Sequence, residues 1–95
     1  MNAAAAKAGV VGLTRVLSRE LAGRNITVNA VSPGLVLTEM GRTIPDQVRT
    51  EMLKSIPLDR FGQPEEIANV ILFLASELAS YVTGQVIHVN GGWWG

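Results

Sequence analysis

The pattern of apolar and polar positions divides the chain into alternating helices and strands. Val10, Leu13, Val16, Leu17 and Leu21 recur at three- and four-residue steps, which predicts a helix over residues 2–22 with one apolar stripe. Asn2 is its expected N-cap, ahead of an alanine run. Arg19 and Arg24 lie where the helix dipole favours cations, and Gly23 and Asn25 are its expected terminators. Gly9 and Gly12 weaken the helix but allow another element to come close. From Ile26 to Ser32 the pattern changes. Ile26, Val28, Ala30 and Ser32 share one face, and Thr27, Asn29 and Val31 the other, as in a strand covered on both sides. Pro33 has no N–H to give a ladder, so the strand is expected to end there. Gly34 then permits a sharp turn or a close approach to a ligand.

Residues 45–55 predict a weaker amphipathic helix with Pro45 near its first position and Val48, Met52 and Leu53 on one side. Ile56-Pro57 stops it, and residues 58–63 read as a loop with Gly62 as its hinge or turn residue. Pro64 opens a further helix, with Glu65 and Glu66 in the dipole's favoured first turn. Its expected buried stripe is Ile67, Val70, Ile71, Leu74 and Leu78. Ala68, Leu72, Phe73 and Ala75 widen that stripe, which predicts a helix covered on two sides. Val82-Thr83-Gly84 is a turn, Gln85 to Asn90 a second strand, and Gly91-Gly92 its stop. Trp93 and Trp94 read as core or interface packing.

With 95 residues the chain makes one small domain at most, and it is treated as a single partial domain over 1–95. Apolar residues make up 47%, which argues against disorder. A formal net charge of zero gives no electrostatic case for nucleic acid or a membrane surface as partner. There is no cysteine and one histidine, so disulfides, thiolate chemistry and a histidine-rich metal site are not expected. No apolar run approaches membrane-spanning length, and a cytoplasmic location is the expectation.

Four stretches, KAGVVGLTRVLSREL, NITVNAVSPG, FGQPEEIANVILFLAS and YVTGQVIHVNGG, carry a resemblance that extends along essentially the whole chain. On Lys7, Pro33, Gly34, Thr38 and the closing VTGQVIHVNGG, the chain resembles the C-terminal part of a short-chain dehydrogenase/reductase of the 3-oxoacyl-acyl-carrier-protein reductase type. Full-length members run to about twice to two-and-a-half times this length, as single α/β domains do. The resemblance implies an incomplete Rossmann-like α/β fold: the C-terminal part of a doubly wound parallel sheet, two strands with three helices, joined by a right-handed crossover.

The resemblance also implies a chemistry, hydride transfer between NADP or NAD and a carbonyl such as a 3-oxoacyl group. A tyrosine gives the proton, and a lysine four residues later lowers its pKa and holds the nicotinamide ribose. Residues four apart stand one above the other on a helix, and a nearby ammonium draws a phenol pKa down from about 10. Lys7 occupies the lysine position, but the tyrosine position is Ala3. Loss of a general acid removes on the order of 10²–10⁴-fold in rate. No glycine-rich phosphate loop opens a helix in these residues. The implied cofactor contacts are therefore those of the nicotinamide end: Lys7, Pro33, Gly34, the Val36 backbone and Thr38. The expectation is a chain that binds no dinucleotide by itself and transfers no hydride.

Each of these residues also has a simpler reading. Lys7 suits a solvated helix face, Pro33-Gly34 an ordinary strand end, and Thr38 a cap. His88 has no ligand or acid at chemical spacing and reads as a packed or edge histidine. Ser32 lies outside any G-x-S-x-G context. Tyr81 matches a structural position before the last strand. A hydrolytic site formed between subunits from Ser32, Thr38 or His88 is the remote alternative. A non-catalytic self-assembly module is the nearer one. A two-stranded sheet is marginal, and residues 26–32 would present an unpaired apolar edge. A homo-oligomer, dimer or tetramer, is expected, built by pairing of residues 26–32 between copies or by exchange of the 2–22 helix.

Overall fold

The computed structural model of the chain describes residues 3–37 and 44–93. Among the described residues three α-helices and two strands follow one another: α1 (Ala3–Leu21), β1 (Ala30–Pro33), α2 (Asp46–Lys54), α3 (Pro64–Leu74) and β2 (Val86–Val89). The strands form one two-stranded sheet. The Ala30 N–H donates to the Gln85 carbonyl at 2.9 Å and the Gly34 N–H to the Val89 carbonyl at 3.1 Å. Both partners advance together along the chain, so the strands are parallel, and the long connection through α2 and α3 is what a parallel pair requires. This is the expected α/β architecture. By contacts the chain separates into two compact units, Met1–Val31 with Leu72–Ile87 and Ser32–Ile71 with His88–Gly95.

In the first unit α1 buries a face that differs from the expected stripe. Thr14 and Ser18 are its buried residues, with Val11, Leu17 and Leu21 half-buried beside them. Leu13 is 60% exposed, and Val10 and Val16 are exposed as well. Hydrogen bonding and size explain the difference. Thr14 Oγ1 donates to the Val10 carbonyl at 2.6 Å and Ser18 Oγ to the Arg15 carbonyl at 2.8 Å, so neither buried hydroxyl lacks a partner. Small side chains on this face let the 82–85 turn approach: a Cβ on Gly84 would lie 2.8 Å from Ser18 Oγ. Asn25, at φ 60° and ψ 36°, closes the 3-10 turn Ala22–Arg24 that follows α1. Asparagine is among the few residues that adopt this conformation readily. The expected Asn2 cap lies outside the described residues.

The first strand is shorter and later than expected, Ala30–Pro33 in place of 26–32. Residues 26–29 run beside a turn, and a turn offers no regular ladder. Here side chains do the pairing. The Val28 N–H donates to Thr83 Oγ1 at 3.0 Å, Asn29 Nδ2 to the Val82 carbonyl at 3.0 Å, and the Gln85 N–H to Asn29 Oδ1 at 3.1 Å. The Gly84 N–H donates to the Val28 carbonyl at 2.7 Å. Gly84 stands at φ +74°, a conformation that suits glycine.

α3 also ends earlier than its apolar pattern suggests, at Leu74. Ser76 turns extended, its Oγ donates to the Phe73 carbonyl at 2.7 Å, and it accepts from the Leu78 N–H at 3.3 Å, starting the 3-10 turn Glu77–Ala79. Ala79 is buried, whereas Leu72, Phe73, Leu78 and Tyr81 are exposed. The helix is therefore not covered on two sides within one chain: Ile67, Val70 and Leu74 are half-buried, and Ile71 joins the exposed set.

The second unit is organised around Ile56, the buried apolar residue among its described residues, at 4% exposure. Pro45 precedes α2, whose nine residues end before Ser55. The Ile56 N–H donates to the Leu53 carbonyl, the Asp59 N–H to the Ile56 carbonyl, and the Leu58 N–H to the Gly91 carbonyl at 3.1 Å. That last bond ties the turn after α2 to the turn after β2. Gly91 and Gly92 stand at φ +62° and +90°, and a Cβ on Gly92 would fall 2.8 Å from Pro57 Cγ. The second strand, Val86–Val89, falls within the expected 85–90. Trp93 is half-buried, and Trp94 lies outside the described residues. Among the described residues no helix is long and apolar enough to cross a membrane.

Candidate functional site

The segment that leaves β1, Pro33 to Leu37, carries three of the residues singled out in the sequence. Pro33 is exposed at the strand end, and Gly34 and Val36 are half-buried. Gly34 has a clear reason to be glycine. A Cβ there would lie 2.7 Å from Asn90 Cβ and 2.9 Å from Asn90 Cα. The sequence suggested a turn or a ligand at this glycine; the close approach seen is to Asn90, the residue that follows β2, while the Gly34 N–H bonds to the Val89 carbonyl.

Beyond Gly34 the segment makes an isolated parallel bridge, Val36 to Gly62. The Gly62 N–H donates to the Leu35 carbonyl at 2.9 Å, and the Leu37 N–H donates to the Gly62 carbonyl at 2.8 Å. In such a bridge the central residue's own N–H and C=O point away from the partner. Among the described residues neither the N–H nor the C=O of Val36 has a hydrogen-bond partner. The result is an adjacent donor and acceptor on one half-buried residue, a pair that such a residue normally satisfies.

Gly62 is bracketed by an ion pair that sequence reasoning missed. Arg60 donates from both terminal nitrogens to the Glu66 carboxylate, at 2.7 and 2.9 Å. Glu66 Oε1 also accepts from the Gln63 backbone N–H at 3.0 Å. Gln63 precedes α3 and Glu66 is its third residue, so this is the carboxylate half of a capping box. The two donors hold the Glu66 carboxyl at a pKa of about 2, with the Arg60 hydrogen bond the larger cause and the Gln63 N–H the next. The available signal was R-x-x-x-P-E-E, a glutamate at the third helical position with an arginine six residues before it. A cavity of about 120 Å³ lies beside this bracket, lined by Leu35, Leu58, Ile67 and Val89 together with Arg60, Gly62, Glu66, Asn90 and Gly91.

The remaining singled-out residues are placed as follows. Lys7 is exposed in the first turns of α1, in the first unit, and Ala3 opens that helix four residues earlier. Thr38 lies outside the described residues. Ser32 is half-buried in β1, His88 is exposed on β2, and Tyr81 is fully exposed. No three His, Cys, Asp or Glu side chains gather at metal-ligating range among the described residues.

A family model described as Enoyl-(Acyl carrier protein) reductase matches residues 2–94. The chain belongs to this family of short-chain dehydrogenases/reductases. Curated relatives agree. The 3-oxoacyl-[acyl-carrier-protein] reductase FabG of Thermotoga maritima is 59% identical over 91 residues, and that of Aquifex aeolicus 54% over 92. The protein of the same name from Staphylococcus aureus is 56% identical over 91 residues. These matches take in 96–97% of this chain and 37% of each relative. The chain therefore spans about a third of the length of the reductases it matches. In this chain Pro33, Gly34 and Val36 stand on one continuous segment of the second unit, and Lys7 stands in the first.

Proposed function

We propose that residues 33–37 receive the nicotinamide end of NADP or NAD, and that this 95-residue chain does not by itself reduce a carbonyl. The observation that supports the first part is the Val36 backbone. A carboxamide carries one carbonyl acceptor and an NH₂ donor, and Val36 offers the complementary N–H and C=O side by side. The residues present thus fit that end of the cofactor. When bound, the nicotinamide supplies the hydride. Pro33 and the Gly62 bridge fix the backbone that orients the carboxamide. Without a pyrophosphate grip, binding of the nicotinamide end alone is weak, on the order of millimolar.

Ala3 supports the second part. The proton that must reach the carbonyl oxygen has no donor at that position, because alanine carries no hydroxyl. The natural context we assign is 3-oxoacyl reduction of the kind named for the relatives, as part of fatty acid biosynthesis. Incubation of the chain with NADPH and an acetoacetyl thioester is expected to leave the reduced-nicotinamide absorbance unchanged. The same assay is then run with the remaining N-terminal portion of the Thermotoga maritima reductase added. There, Ala3→Tyr is expected to raise turnover by at least two orders of magnitude over the parent chain. Equal turnover by the two chains refutes the assignment of Ala3.

A second reading, self-assembly, has its own observation. In the first unit Val10, Leu13 and Val16 on α1, and Leu72, Leu78 and Tyr81, leave large apolar side chains in water. Such surfaces favour association, and a net charge of zero does little to oppose it. Light scattering after size exclusion is expected to show a dimer or tetramer at micromolar concentration. A stable monomer contradicts this reading.

A further inference from the structure

We infer that Arg60 and Glu66 form a clasp whose purpose is to position the Leu35–Leu37 backbone, making both of them positioning residues for the proposed nicotinamide contact at Val36. The inference rests on the assignment of residues 33–37 given above. It joins three observations within the second unit.

First, packing alone does not hold the segment. Leu35 borders a cavity of about 120 Å³, room for several water molecules, so part of its surface lacks the neighbours that would fix it. Pro33 is exposed. Directed hydrogen bonds must do what close packing does elsewhere.

Second, those hydrogen bonds converge on Gly62. Its N–H and C=O hold the Leu35 carbonyl and the Leu37 N–H, and between these two anchors lies Val36, with its own N–H and C=O turned away from Gly62. The direction of the Val36 pair is therefore set by where Gly62 sits.

Third, one carboxylate ties both flanks of Phe61-Gly62. Glu66 binds Arg60 on one side with two parallel hydrogen bonds and the Gln63 N–H on the other, and Glu66 itself stands on the first turn of α3. Arg60 also donates to the Phe61 carbonyl at 3.4 Å. A guanidinium fork is required for the two-point grip, which a lysine ammonium does not reproduce. The clasp thus transmits the fixed position of a helix end to the Val36 amide through one glycine.

Amide hydrogen exchange, followed by NMR on the 95-residue chain, tests this without any cofactor. In Arg60→Ala the Leu37 and Gly62 amides are expected to exchange roughly two- to fivefold faster, the scale of a lost surface ion pair acting on a local opening. The Ala30 and Gly84 amides, bonded to Gln85 and Val28, are expected to be unchanged. Arg60→Lys should fall between Arg60→Ala and the parent. If Arg60→Ala accelerates every amide alike, Glu66→Gln decides, since it keeps an acceptor for Gln63. Selective acceleration at Leu37 and Gly62 in Glu66→Gln supports the clasp. Unchanged exchange at both amides, or uniform acceleration in Glu66→Gln as well, overturns it. Nicotinamide mononucleotide added to the parent chain separates the two readings. A missing shift at Val36 counts against the cofactor assignment, and the exchange pattern decides the clasp on its own.

Discussion

The contact between Gly34 and Asn90 gives a prediction with a definite size. In Gly34→Ala the new methyl would be placed 2.7 Å from Asn90 Cβ and 2.9 Å from Asn90 Cα. Carbon atoms in favourable contact stand about 3.5–4.0 Å apart, so the overlap approaches 1 Å. Gly34 is not at positive φ, so the penalty is steric and not conformational. Relief requires β1 and β2 to separate at this point, where the Gly34 N–H reaches the Val89 carbonyl at 3.1 Å. Over-packing costs about 1–3 kcal/mol. A weakened backbone hydrogen bond adds about 0.5–1.5 kcal/mol. Lower unfolded-state entropy returns about 0.4–1 kcal/mol. The net expectation is a destabilisation of about 2–3 kcal/mol. With a urea m-value on the order of 1 kcal/mol/M, the midpoint falls by about 2–3 M. Urea unfolding followed by circular dichroism measures this, at one fixed protein concentration because association shifts the midpoint. Adding Asn90→Gly removes the nearer of the two clashing atoms, so the double variant should show a favourable coupling of about 1 kcal/mol. A Gly34→Ala chain within about 0.5 kcal/mol of the parent would refute the reasoning, since surface changes of no consequence fall in that range.

Three further perturbations follow from the packing and charge described above. Ile56→Ala empties the buried centre of the second unit and should cost about 2–4 kcal/mol in urea unfolding. Gly84→Ala meets both a φ of +74° and the Ser18 hydroxyl at 2.8 Å. It should destabilise by about 1–3 kcal/mol. Ser18→Ala in the same chain should remove only the steric part. The Glu66 carboxyl, lowered in the folded chain from an ordinary 4.5 to about 2, contributes stability that is present above pH 4.5 and lost as pH falls towards 2. The stability difference between the parent and Glu66→Gln should therefore shrink over that window and be constant between pH 6 and 8. A difference that persists unchanged at pH 2 contradicts the sign.

How much the sequence disclosed depended on the kind of signal. Helix ends with their own chemistry were legible. Pro64 with Glu65 and Glu66 marked the start of α3, and Asn25 marked the close of the α1 region, because both act through local backbone geometry. Faces were less legible. The apolar period of α1 pointed to Val10, Leu13 and Val16, yet one chain buries Thr14 and Ser18. Period reveals that a surface wants covering. It does not say which partner covers it, and two hydroxyls that bond back to their own helix can be buried as readily as valines. Strand limits depended on the partner. Ile26 to Asn29 has the composition of a strand, but the segment opposite is a turn set by Gly84, and so the ladder starts at Ala30.

At the candidate site the sequence indicated the residues and left the reasons open. Gly34 was expected to leave room for a turn or a ligand; it leaves room for Asn90, a neighbour 56 positions later that no local pattern discloses. Val36 was marked by family resemblance, and its N–H and C=O, without a partner among the described residues, emerge from the bridge to Gly62, a long-range pairing of one residue with one residue. Arg60 escaped notice because a single arginine in a loop has no periodicity. Its role appears once Glu66 is seen to reach back over Gln63. Thr38 and the Asn2 cap lie outside the described residues.

The central claim is that the Val36 backbone is shaped to meet a nicotinamide carboxamide. It is tested most directly by titrating isotope-labelled chain with nicotinamide mononucleotide and following the backbone amides. A saturating shift at Val36, larger than at Ala30 or Gly84 and absent with ribose 5-phosphate, is the predicted result. A Val36 amide that does not move, or that moves equally with the sugar phosphate, would contradict it.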